Sequence, residues 1–152
     1  MHIDHVCIAV RSIDNAATKL CQLLGYLPKT RKVANSRHKV NVQFLGREGS
    51  LDIKLIEPCG EDSPLWQFLR KGEGLHHLCF MTSDTATALA DLQSRGLRVL
   101  TAPTPGEAFN GGLIAFGYAG FGLNIELIDT TERRDRVDCT LPERDQNSGD
   151  PP

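Results

Sequence analysis

The chain has 152 residues, of which 40% are hydrophobic and 24% charged, and its formal net charge is −2. A chain of this size buries enough surface for one domain with its own core, and the composition excludes collagen-like, coiled-coil and wholly disordered proteins. The near balance of charge, and the lack of any apolar run of roughly 18 residues, exclude a nucleic-acid-binding protein and a membrane-spanning one.

The N-terminus and the cysteines favour a cytoplasmic protein. Asp4 and His5 stand where an export signal needs basic residues and then an uninterrupted apolar stretch. The five cysteines are an odd number without a CxxC pair, which is typical of reduced thiols. We therefore predict neither an export signal nor a disulfide framework.

The first half of the chain predicts the order βαβββ. A β-rich segment at 2–10 precedes Ser12, a typical N-cap residue, and the helix that follows ends at Gly25. Further strand-like segments lie at 26–33, 40–45 and 51–56. A short helix over 63–71 then leads to the second half.

The second half repeats this order. A helix over about 84–95 stops at Gly96, and strand-like segments lie at 75–81, 97–100, 112–116 and 123–128. After residue 129 the apolar pattern ends. We therefore predict a domain over 1–129, built from repeats at about 1–58 and 74–129, and a polar, loosely packed tail over 130–152.

Two segments of the first half recur 72 residues later. DHVCI at 4–8 aligns with HHLCF at 76–80, and LDIKLIE at 51–57 aligns with LNIELID at 123–129. A common offset in two separate segments is the mark of an internal repeat. The sequence therefore predicts an α+β fold of two tandem βαβββ modules that form a cleft.

The repeat predicts a cluster of four polar side chains. If a pseudo-twofold axis relates the modules, His5 faces His77, and Lys54 faces Glu126, across the space between the sheets. Two imidazoles and one carboxylate form a 2-His-1-carboxylate metal site with open positions for substrate. We therefore predict metal ligands at His5, His77 and Glu126, and expect His76 on the opposite face of its strand.

These segments resemble the vicinal oxygen chelate superfamily, which contains glyoxalases, bleomycin-resistance proteins and extradiol dioxygenases. Within it the chain is similar to the methylmalonyl-CoA epimerase family. The resemblance covers roughly residues 1–129 and is carried by DHVCIAV at 4–10, LIEP at 55–58, DSP at 62–64, GLHHL at 74–78 and LNIEL at 123–127.

The resemblance implies one divalent ion (Co, Zn, Ni, Mn or Fe) held by His5, His77 and Glu126. It also implies a small-molecule substrate such as a coenzyme A or acyl-carrier thioester, and a homodimer. The expected reaction is isomerisation or epimerisation α to a carbonyl. In such a reaction Glu126 is the candidate base, and Lys54 is the candidate for the second acid that inversion needs.

Two positions depart from the family pattern. Lys54 stands where the family has a glutamine or glutamate ligand, and a protonated amine cannot bind a metal ion. Lys54 therefore either pairs with Glu126 in a site without metal, turns outward, or loses its proton. The stretch 29–47 contains no carboxylate where the epimerase has its further base, and Arg37 and His38 are predicted to bind substrate there instead.

Three classes of function stay open. The first is a metal-dependent isomerase or epimerase, like methylmalonyl-CoA epimerase or lactoylglutathione lyase. The second is an Fe(II) dioxygenase that uses His5, His77 and Glu126. The third is a non-catalytic binding or resistance protein in which Lys54 pairs with Glu126 and no metal binds.

Overall fold

The computed structural model describes residues 1–137, which form one mixed sheet with helices packed against it. The strands are β1 (His2–Ala9), β2 (Leu27–Pro28), β3 (Val33–Asn35), β4 (Val40–Gly46), β5 (Asp52–Pro58), β6 (Gly74–Met81), β7 (Arg98–Pro105), β8 (Leu113–Gly120) and β9 (Leu123–Ile128). The α-helices are α1 (Ile13–Leu24), α2 (Leu65–Leu69) and α3 (Thr85–Ser94), and a 3₁₀ helix spans Glu107–Phe109.

The two halves of the sheet have the same strand order. The full order is β2-β4-β5-β1-β6-β9-β8-β7, with β3 paired to β4. In each half the first strand runs parallel to the last, as β1 does to β5 and β6 to β9, and the halves meet where β1 and β6 pair antiparallel. The predicted α+β fold is confirmed, and its two halves meet at the middle of one sheet.

Helices α1 and α3 lie where the sequence predicts, and α2 is two residues shorter at each end than the predicted 63–71. The Ser12 hydroxyl accepts a hydrogen bond from the backbone N–H of Asn15, and Gly25 ends α1 with φ of 69°, a conformation that favours glycine. The carboxylate of Asp84 caps α3 in the same way through the N–H of Thr87. These caps satisfy backbone N–H groups at the first turn of each helix.

Alternation along the strands separates two buried faces. On β5, Leu55 packs beneath α1, and on β9, Leu127 packs beneath α3. Their neighbours Lys54 and Glu126 point to the opposite face, because successive side chains of a strand alternate. That face carries the largest buried apolar cluster and the candidate site.

The central pair of strands contains two irregularities in register. One extra residue lies on each strand, Asp4 on β1 and His76 on β6. A β-bulge redirects the side chain of the extra residue, so Asp4 lies beside His5, and His76 beside His77. The expectation that His76 faces away from His77 is therefore wrong.

The segment after β9 packs against the domain. Backbone hydrogen bonds join Arg31 N–H to the carbonyl of Asp135, and Val137 N–H to that of Lys29. The side chain of Arg133 is 6% exposed. The prediction of a loosely packed tail is therefore wrong for residues 130–137, whose backbone pairs with the segment before β3. The rest of the predicted tail, 138–152, lies outside the described residues.

Within residues 1–137, no helix is long and apolar enough to span a membrane.

Candidate functional site

The four central strands each contribute one side chain to a buried polar cluster. His5 comes from β1, Lys54 from β5, His77 from β6 and Glu126 from β9. Each of the four is at most 5% exposed. The register that pairs Cys7 with Lys54 is repeated 72 residues later by Cys79 with Glu126, so the duplicated strands bring the predicted residues together.

Glu126 lies at the centre of this cluster. Its Oε2 atom is 3.1 Å from Nε2 of His5, 3.0 Å from Nε2 of His77 and 2.8 Å from Nζ of Lys54. Lys54 also donates to Oε1 at 2.9 Å. The ammonium and the carboxylate therefore form a bidentate ion pair, with both imidazoles directed at the same oxygen.

The ion pair keeps both of its members charged. Burial alone would raise the pKa of Glu126, but Lys54, His77 and the hydrogen bonds from both histidines hold that pKa well below its usual range. Burial would likewise lower the pKa of Lys54, but the Glu126 carboxylate outweighs it and raises that pKa. At neutral pH the pair is an ammonium and a carboxylate, which makes Glu126 a weak base.

Asp4 and Arg133 fix the orientation of His5. Nδ1 of His5 lies 2.7 Å from Oδ1 of Asp4, and the same carboxylate accepts a hydrogen bond from the guanidinium of Arg133. That guanidinium contacts two phenyl rings that pack against each other, and it lies 4.7 Å from the Phe44 centroid and 4.8 Å from the Phe109 centroid. Through Arg133, the segment after β9 therefore holds Asp4 in its contact with His5.

His76 makes the equivalent contact to His77. The two Nδ1 atoms lie 2.8 Å apart, and His77 directs Nε2 at Glu126. Because Nε2–H donates to a carboxylate, Nδ1 of neutral His77 accepts the N–H of His76. The 72-residue offset aligns Asp4 with His76. The repeat therefore indicated that these two residues have equivalent positions, but the expected alternation along the strand placed His76 on the wrong face.

A cavity of about 180 Å³ opens onto the cluster. It is smaller than the roughly 300–1,000 Å³ typical of ligand pockets, so it accommodates the reacting end of a substrate only. Its polar lining includes Lys54, Glu126, His38, His76 and His77. Its apolar lining is Val40, Val42, Ile56, Pro64, Leu65, Phe68, Ala108, Phe109, Ile114 and Phe116.

His38 is one of the residues that line this cavity. Its Nε2 atom is buried and has no hydrogen-bond partner among the described residues, and its ring packs edge-on against Phe116 with centroids 5.8 Å apart. Burial lowers the pKa of His38, with a further lowering from Lys54. The ring is therefore neutral at pH 7 and can accept a proton.

Arg37 lies outside the cavity. Its side chain is exposed on the turn between β3 and β4, while its neighbour His38 lines the cavity. The other basic residues of 29–39 are mostly paired: Lys29 with Asp52, Lys32 with Glu57 and Asp14, and Lys39 with Asp62. Among the described residues, Arg37 and Arg31 make no such ion pair and keep their charge available.

The three predicted metal ligands lie close enough to hold an ion. Ligand atoms of His5, His77 and Glu126 are within 4.8 Å of one another. Lys54 opposes this use, because an ion bound to Glu126 would lie about 4 Å from the ammonium. At an effective dielectric constant of about 20, that repulsion is about 8 kcal/mol for a divalent ion. With Lys54 in this position the donor set does not fit a divalent ion.

Two half-sheets of the same strand order that converge on two histidines and a carboxylate are typical of the vicinal oxygen chelate type of protein. The sequence profile of one such family matches residues 4–116. The chain belongs to the Glyoxalase/Bleomycin resistance protein/Dioxygenase superfamily. The family resemblance inferred from the repeat and its motifs is thus confirmed.

The relatives of this chain include methylmalonyl-CoA epimerases. It is 36% identical over 115 residues to the protein YqjC of Bacillus subtilis, whose function is uncharacterised, covering 75% of this chain and 80% of that protein. It is 33% identical over 101 residues to the human mitochondrial methylmalonyl-CoA epimerase, covering 65% of this chain and 56% of the human protein. The chain thus spans little more than half of the human enzyme.

A solved structure extends this similarity to the fold. A methylmalonyl-CoA epimerase in complex with methylmalonyl-CoA and NH4+ is 29% identical and superposes with a TM-score of 0.75. The match covers 86% of this chain and 94% of that one.

Proposed function

We propose that this protein catalyses proton transfer at the carbon α to the carbonyl of an acyl-CoA or a related acyl thioester, as an epimerase does. The observation that carries the proposal is the lining of the cavity, which includes a buried lysine and a histidine whose Nε2 atom has no hydrogen-bond partner within residues 1–137. The lysine is Lys54, a hydrogen-bond donor, and the histidine is His38, whose Nε2 atom can accept a proton.

Such a reaction needs two groups. A base takes the α-proton while a donor stabilises the negative charge that develops on the carbonyl oxygen. Neutral His38 fits the first role, since Glu126 is held as an anion by three donors. Lys54 fits the second, and the bidentate contact with Glu126 fixes its position.

The relatives support an acyl-CoA substrate. Several of the proteins that are similar to this chain in sequence or fold are methylmalonyl-CoA epimerases. The cavity admits an acyl group, and the coenzyme would lie outside it, where the exposed Arg37 can meet phosphate. The homodimer and the cytoplasmic location stay predictions.

The other classes of function are less well supported. An Fe(II) dioxygenase requires a metal ion between His5, His77 and Glu126, where the charge of Lys54 opposes it. A binding protein without catalysis remains an outcome of the test below. We also expect inversion to be slower than exchange, because the candidate base for the opposite face of the substrate is Glu126, which Lys54 and the histidines hold as a weak base.

The test follows isotope and stereochemistry separately. Each epimer of methylmalonyl-CoA is incubated with the protein in deuterated water, deuterium is measured by mass spectrometry, and the epimer ratio by chromatography. We expect catalysed α-exchange that is faster than inversion. The variant His38→Gln should lose this exchange, and Glu48→Gln, an exposed change on a loop, should keep it. Binding of methylmalonyl-CoA without exchange or inversion would replace the proposal with a binding function.

A further inference from the structure

The ammonium group of Lys54 has one hydrogen-bond donor to spare. A protonated lysine carries three N–H donors. Two of them reach Oε1 and Oε2 of Glu126, at 2.9 and 2.8 Å. Within residues 1–137 the third has no protein acceptor, and Lys54 lines the cavity. A substrate oxygen in that space can take the remaining N–H.

The surroundings keep this ammonium in place. Glu126 is itself fixed by His5 and His77, so the two imidazoles act on Lys54 through the carboxylate. The Lys54 Nζ atom also lies 5.0 Å from the centroid of the Phe109 ring, within the range of a cation–π contact. The histidines that could hold a metal ion here instead hold the partner of a lysine.

The charges in the cluster are already matched without an added ion. The carboxylate of Glu126 and the ammonium of Lys54 stand at equivalent corners of the duplicated site and neutralise each other. A divalent ion between the histidines and Glu126 would leave the buried site with an excess positive charge next to the ammonium. The positive charge that balances Glu126 therefore comes from the side chain of Lys54.

We infer that Lys54 takes the place of a divalent ion in this site and donates its third N–H to the carbonyl oxygen of the substrate. This inference rests on the proposed function for its chemistry. When the α C–H bond breaks, its electron pair forms the enolate C=C bond and the carbonyl π pair moves to oxygen, which Lys54 stabilises. The proton goes to Nε2 of His38 and returns to carbon, so no oxidant or reductant is needed.

The first test measures metal binding without substrate. Calorimetric titration with Co²⁺ alone compares the unmodified protein with Lys54→Gln, Lys54→Met and the exposed-surface control Lys19→Gln. Lys54→Gln removes the charge and adds a ligand oxygen, so we expect Co²⁺ to bind at least about tenfold more tightly, equivalent to about 1.4 kcal/mol. Lys54→Met removes the charge alone and should gain less, and Lys19→Gln should match the unmodified protein.

The second test measures α-exchange with and without EDTA. In the unmodified protein the chelator should change nothing, whereas Lys54→Met should lose about 10²-fold or more, as when an oxyanion donor is removed. Exchange by Lys54→Gln should require Co²⁺. Lys54→Arg keeps charge and donors, so its exchange should resist EDTA if the variant folds.

Tight stoichiometric Co²⁺ binding by the unmodified protein would overturn the inference, and so would loss of its exchange in EDTA. If no variant exchanges deuterium, the proposed function fails, and the titration still decides separately whether Lys54 excludes the ion.

Discussion

The Nδ1 atoms of His76 and His77 lie 2.8 Å apart, although the two residues are neighbours on one strand. The bulge at His76 makes this possible, because it turns a side chain that would otherwise face away. His76 thereby sets the tautomer of His77 and the direction of its Nε2 atom toward Glu126. On the equivalent strand, the Asp4 carboxylate fixes the orientation of the His5 ring through its contact with Nδ1.

Replacing His76 should destabilise the protein through His77. His76→Phe keeps a ring against Phe68, whose centroid is 5.0 Å away, but leaves Nδ1 of His77 without its partner. A buried polar atom without a partner costs about 1–3 kcal/mol, so the free energy of unfolding in urea should fall by about that amount. His2→Phe, an exposed change on β1, should have little effect. Equal stability of the two variants would contradict the role given to His76.

Arg133 should contribute to stability far more than its neighbour in sequence. Arg133→Met removes the buried partner of Asp4, and breaking a buried ion pair typically costs about 3–5 kcal/mol. Arg134→Met is the matched control, because that side chain is exposed. Thermal and urea unfolding should separate the two variants clearly. Arg133 would not have this role if the two variants were equally stable.

The repeat predicted the centre of the site but not its supports. A constant offset of 72 residues in two segments is enough to pair Lys54 with Glu126 and His5 with His77. The side to which His76 points depends on a bulge, which arises from pairing between strands rather than from the pattern along one strand.

Two further features of the site could not be predicted from the sequence pattern, for other reasons. Arg133 lies in a polar segment, where composition predicts solvent exposure, yet the ion pair with Asp4 and cation–π contacts to two phenyl rings compensate for its burial. The missing partner of His38 Nε2 is a property of the folded cavity and has no signature in the sequence.

The pH profile of the α-exchange rate should have a single limb, on the acidic side, set by the protonation of His38. Burial lowers the pKa of His38, as do Lys54 and Arg37, while Glu126 and Glu107 oppose them. A base must be unprotonated, so exchange should be level above pH 6.5 and fall only at lower pH. His38→Gln should lose about 10²- to 10⁴-fold in rate, along with this limb. A limb above pH 6.5 would contradict the assignment of His38 as the base.

Acid should destabilise the fold through His77. Burial lowers the pKa of His77 to about 3. Between pH 6.5 and 3 the unfolded chain therefore binds a proton that the folded protein does not, so stability falls as pH falls. From pH 6.5 to 5 the loss is about 2 kcal/mol, at about 1.4 kcal/mol per unit. Urea midpoints at several pH values measure it, and His77→Gln should be less stable at pH 7 but less dependent on pH.

Arg37 should affect substrate affinity rather than chemistry. Its exposed guanidinium stands beside the cavity residue His38, so Arg37→Ala should raise KM for an acyl-CoA severalfold and leave kcat for exchange unchanged. Arg31→Ala is the control, since it removes an equal charge from the far end of the same basic stretch. A truncated thioester without the coenzyme phosphates should be insensitive to both changes, and a selective fall in kcat would contradict this role.

The position of Lys54 on β5 also has a consequence for how such sites change over time. Lysine codons differ from those of glutamine and glutamate at the first base only. One nucleotide change would therefore exchange the ammonium for a ligand oxygen, while the sheet, the histidines and Glu126 stay as they are. A single mutation at codon 54 would therefore convert a site that uses its own ammonium group into one that can bind a metal ion. Related sequences should be compared at this codon to find that change.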